Sequence, residues 1–187
     1  MLEYLTRHWW SVALRGVLAV AFGVVAWIWP DITVHALVLL YGFYALVDGL
    51  LALAALLVGG GLVRERRGWL IVEGVAGIAA GVIAFLWPGI TALVLLYLIA
   101  AWAIATGVLE IAAAIWLRRE LRGEWLLALG GVVSVLFGVF LIVRPGEGAI
   151  AVVWLIGLFA IVFGVALIGL GLRLRRVGRG LSGPAMA

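Results

Sequence analysis

Four charged side chains lie inside long apolar runs: Arg15, Asp48, Glu73 and Glu110. An ionisable group in such a setting is costly to hold, and it is a candidate for ion pairing, proton carriage or contact with a solute. Arg15 and Glu73 each stand directly before a glycine, Gly16 and Gly74, and Gly130 holds the same place before Gly131. Packed around a common axis, Arg15 and Glu73 would meet, and a buried ion pair between them is expected. Asp48 and Glu110 are carboxyls that could carry protons. The competing reading is structural: these groups fix helix register, or reach toward headgroup water from near the helix ends.

The elements that would position them follow from composition. The chain has 187 residues, 67% hydrophobic and 12% charged, with a mean hydropathy of +1.32. Soluble domains carry about 45–50% apolar residues, so a soluble fold of this size could not cover the excess. A bilayer core takes about 20 helical residues. Apolar runs of that order lie near residues 9–29, 33–58, 69–87, 90–117, 125–143 and 147–172. They predict an all-α, six-helix transmembrane bundle as a single domain over 1–172, followed by a flexible basic tail over 173–187. The first run is as long as a full span and reads as a retained helix rather than a cleaved signal.

The chain repeats itself. AWIWPDITVHALVLLY at 26–41 returns as AFLWPGITALVLLY at 84–97, which aligns Trp29 with Trp87, Pro30 with Pro88 and Thr33 with Thr91. A weaker copy, LIVRPGEGAIAVVW at 141–154, places Pro145 in the same position. Internal repeats fix architecture, and here they predict three tandem helical hairpins, about 9–58, 69–117 and 125–172. Each hairpin enters the membrane in the same orientation, so the repeats should be related by a pseudo-threefold axis along the membrane normal. Trp favours the headgroup level and Pro lacks the donor that would carry a helix onward. The Trp-Pro step therefore marks the outer tip of each hairpin.

Small residues recur at i, i+3 and i+7 in every span. The pattern is carried by Gly16, Gly23, Gly42, Gly49, Gly74, Gly81, Gly107, Gly131, Gly138, Gly157 and Gly164, with Ala19, Ala45, Gly77, Ala100, Ala103, Ser134 and Ala160 completing it. Such spacing lays a flat stripe along one helix face. In lipid a stripe of this kind lets backbones approach closely, within the chain or between copies in a homo-oligomer.

All thirteen basic residues are Arg. Arg7, Arg64, Arg66, Arg67, Arg118, Arg119, Arg122, Arg173, Arg175, Arg176 and Arg179 fall on one side of the predicted bundle, and Arg144 on the other. The positive-inside bias puts both termini in the cytoplasm. The clusters explain the net charge of +4 without nucleic acid, and they suit anionic lipid headgroups. Counted from these ends, the four intramembrane charges all fall in the cytoplasmic half. His8, Trp9, Trp10, Trp69, Trp116 and Trp125 form an interfacial belt on that side. His35 lies near the outer side and is of the residue type that gains charge in mild acid, although a lone interfacial histidine needs no such role.

With its six spans, its stripes and its W-P-x-x-T tips, the chain resembles the HdeD-like family of small bacterial membrane proteins associated with acid resistance. The third tip departs from that pattern, with Arg144 for Trp and Gly148 for Thr. The resemblance implies an inner-membrane protein linked to acid or general stress, and it carries over no catalytic residue.

The residues themselves give no sign of an enzyme. Cysteine is absent, no His and carboxylate set has metal-ligand spacing, and no nucleophile stands with a base. Gly59, Gly60 and Gly61 are followed by Leu and Val, not by the Gly-Lys-Ser of a phosphate loop. No catalytic residue, metal or cofactor is assigned. A channel or transporter for protons or a small solute would use the Arg15, Asp48, Glu73 and Glu110 cluster, with Thr106 and Ser134 as a partial lining. The other reading, and the one preferred, is a non-enzymatic membrane protein acting through packing, assembly or partner binding.

Overall fold

The computed structural model describes residues 9–58, 67–117 and 124–181. They form six helices: α1 (Trp9–Ile28), α2 (Pro30–Val58), α3 (Arg67–Leu86), α4 (Pro88–Leu117), α5 (Glu124–Val143) and α6 (Pro145–Leu181). All six are long and apolar enough to cross a membrane. The chain is thus an all-α, multi-pass membrane protein of three tandem hairpins. Arg7, His8, Gly59, Gly60, Gly61, Arg64, Arg66, Arg118, Arg119 and Arg122 lie outside the described residues.

Each tip is tighter than the apolar runs suggest. A single residue, Trp29, Trp87 or Arg144, separates the two helices of a hairpin. The second helix begins at the proline itself rather than a few residues later, because the first helical position needs no N–H donor and proline's fixed φ suits it. The Trp29 N–H closes α1 on the Val25 carbonyl at 2.9 Å, and the Trp29 carbonyl accepts the Thr33 N–H at 3.1 Å to open α2. Trp87 and Arg144 do the same, the former with Ile83 and Thr91, the latter with Phe140 and Gly148. One residue serves as the last donor of one helix and the first acceptor of the next.

The third tip shows how sharply the chain reverses. A side chain added at Gly148 would place its Cβ 3.1 Å from the Leu141 Cα. Seven residues along a straight helix span about 10 Å, so the helices must fold back on each other there.

The chain divides into two compact units, residues 1–33 with 150–187 and residues 34–149. In the first, α1 packs antiparallel on α6: Gly16 faces Gly164, and Gly23 faces Gly157. In the second, α2 packs antiparallel on α3 through Gly49 with Gly74 and Gly42 with Gly81, and α4 on α5 through Gly107 with Gly131 and Ala100 with Gly138. The stripes therefore join helices of different repeats, not the two helices of one hairpin. A Cβ added at Gly16 would lie 2.6 Å from the Gly164 carbonyl oxygen, and one added at Gly107 2.6 Å from that of Gly131. The obstacle in both is backbone, which has no rotamer to give way.

α6 continues through Arg173 to Leu181, where the sequence leads one to expect a flexible tail. Leu and Arg are good helix formers, and basic residues favour the negative end of the helix dipole. Both effects extend the helix past the apolar run.

Candidate functional site

The intramembrane charges sit beside the stripes that position them. Asp48 immediately precedes Gly49, and Glu73 immediately precedes Gly74; these two glycines face each other across α2 and α3. In an antiparallel pair, residues that each precede a facing position project to the same flank at nearly the same depth. Asp48 and Glu73 therefore share one flank of the α2–α3 pair. Asp48 is half-buried and Glu73 exposed.

The α4–α5 pair carries its charge on the other helix. Gly130 occupies the place held by Glu73 and Arg15 in the earlier repeats. A Cβ built there would stand in ordinary contact with Glu110 Oε2, at 3.5 Å, so the carboxylate of α4 lies beside this position of α5. Glu110 is half-buried. Asp48, Glu73 and Glu110 make no hydrogen bond or ion pair with described residues of their own unit. Arg15 is exposed on α1, next to Gly16. It belongs to the first unit and Glu73 to the second.

The two hydroxyls that the sequence offers as a partial lining are engaged with backbone. Thr106 Oγ1 donates to the carbonyls of Trp102 at 2.8 Å and Ala103 at 3.2 Å. Ser134 Oγ donates across to the Ala103 carbonyl at 3.0 Å, tying α5 to α4. Among the described residues no group of three His, Asp or Glu is placed to hold a metal ion.

At the outer ends, Thr33 and Thr91 are buried. Their hydroxyls donate to the carbonyls of Trp29 at 2.9 Å and Trp87 at 3.3 Å, which already accept the backbone N–H of the same threonine. The tryptophans thus act at the tips through their carbonyls, while their indoles stay exposed. At the third tip Arg144 pairs with Glu147 at 2.9 Å, both well exposed; such a surface pair contributes little. Asp31 and His35, beside the first tip, both have partners.

Two features escape a reading of the sequence alone. Ala26, Ala84 and Leu141 are fully buried at equivalent places in the three repeats. Aligning the repeats ahead of the W-P-x-x-T motif would have shown that the third repeat puts a large residue where the others have Ala, to set beside the Gly148 that stands for Thr within the motif. The second is Trp27, whose indole N–H donates to the Trp154 carbonyl at 2.9 Å. Its ring lies over Gly157, where an added Cβ would come 2.7 Å from Trp27 Cδ1.

The profile of one protein family, described as a short repeat of unknown function (DUF308), matches the chain three times, over residues 14–83, 72–143 and 129–183. No curated protein and no solved structure matches the chain.

Proposed function

The chain belongs to the DUF308 repeat family, and we propose on that premise that it is a non-enzymatic protein of the bacterial inner membrane, with both termini cytoplasmic. It acts in acid or general stress as a closely packed helical body that binds or stabilises partners in the membrane. The observation that carries this reading is the state of the stripes. Stripe glycines from every helix meet a facing helix at distances a side chain would forbid, which supports close helix-to-helix packing within each unit as the working feature. The engaged hydroxyls of Thr106 and Ser134 favour the same view.

The one-sided distribution of Arg supports the orientation, and the resemblance to HdeD-like proteins supports the link to acid. The cytoplasmic Arg clusters hold anionic headgroups in this reading. Self-association would use lipid-facing apolar surface, because the stripes are taken up within the chain.

Survival of an acid challenge tests the role. Cells lacking the protein should survive less well and be restored by the unmodified chain and by Asp48→Asn, but not by Gly107→Leu. Restoration by Gly107→Leu at normal protein levels, or equal survival without the protein, would refute it.

A further inference from the structure

The three stripe pairs are close to interchangeable, yet they are not equally held. In sequence, α2 and α3 are joined through residues 59–66 and α4 and α5 through residues 118–123, whereas α1 and α6 are separated by every other helix. A short connection keeps two helices at high effective concentration and favours their reclosure; the α1–α6 seam lacks that help. It has instead the Trp27 hydrogen bond to Trp154, with the two rings 6.2 Å apart. Among the described residues this is the one side-chain hydrogen bond joining α1 to α6. The positions equivalent to Trp27 in the other repeats are Phe85 and Ile142, which have no donor to offer.

We propose that the α1–α6 seam is the place where the protein opens, and that Trp27 is the latch that holds it shut. Gly157 provides the seat for the indole, and the Trp154 carbonyl is the catch. Opening parts glycines from the apolar side chains of Val20, Trp27, Ile161 and Ile168 that pack on them, with no charge on the stripe itself. The cost is therefore mainly lost packing, the term that holds membrane helices together.

The chain has no cysteine, and Ala45, Ala103 and Ala160 are equivalent positions on α2, α4 and α6. Each can be changed to Cys singly with little change in volume. In native membranes, labelling by a membrane-permeant maleimide should be fastest for Ala160→Cys. Adding Trp27→Phe, which keeps a ring and removes the donor, should raise that rate by about threefold, the shift that losing one ordinary interhelical hydrogen bond produces. The rates for Ala45→Cys and Ala103→Cys should not move, which also shows that the Phe variant is folded. Equal labelling at all three positions would overturn the proposal. So would a Trp27→Phe effect that is absent at Ala160→Cys or shared by the other two.

Discussion

A single exchange of bulk at the third tip shows how the repeats stay equivalent while their residues diverge. Ala26 with Thr33 and Ala84 with Thr91 place a small residue on the first helix and a larger one on the second; Leu141 with Gly148 reverses them. The Leu141 side chain occupies the space beside Gly148, where an added Cβ would meet its Cδ2 at 2.9 Å. Gly148→Thr alone should therefore destabilise by about 1–3 kcal/mol through overpacking, and Leu141→Ala alone by about 2–5 kcal/mol through the cavity it leaves. The double variant should recover most of both losses and regain the hydroxyl bond of the other tips. Unfolding in detergent micelles measures this, and costs that simply add would contradict the exchange. The W-P-x-x-T motif was legible because its residues recur at fixed spacing. The compensation was not, because it pairs the last position of the motif with a residue three places before its first, and the two meet only once the chain has turned back.

Among elements, the stripes were legible as stripes and illegible as interfaces. Spacing of three and four residues is set by the helical period, so any small-residue face shows itself. Nothing in a glycine says which helix it will face, and six similar faces can be paired in several ways. The structure joins the second helix of one repeat to the first helix of the next, and α6 to α1. Glycines off the stripes behave differently: Gly68, Gly89, Gly146 and Gly169 have open space where a Cβ would stand. Gly107→Ala should cost about 1–3 kcal/mol, since carbonyl and main-chain nitrogen atoms block the methyl group. Gly89→Ala should be neutral or stabilise by up to about 1 kcal/mol from helix propensity. Thermal unfolding of the two variants side by side gives the comparison, and equal effects would mean that the stripes do not carry the packing.

For the whole molecule, hydropathy alone revealed a six-helix membrane protein, since nothing but a bilayer could accommodate so much apolar surface. The extension of α6 to Leu181 was missed because hydropathy marks where a helix leaves the membrane, not where it ends. The charges were visible as candidates, but their partners depend on flank and depth. Asp48 and Glu73 emerge as neighbours on one flank only through the Gly49–Gly74 crossing, and Glu110 is linked to the Gly130 position only by the packing of α4 on α5. In the proposed function this arrangement packs helices and does not conduct. Proton flux into liposomes carrying the purified, folded protein under an imposed pH gradient separates packing from conduction, with Asp48→Asn and Glu73→Gln alongside. A packing role gives flux no greater than in empty liposomes for all three proteins; flux through the unmodified chain that either substitution abolishes would overturn that role and identify a proton pathway.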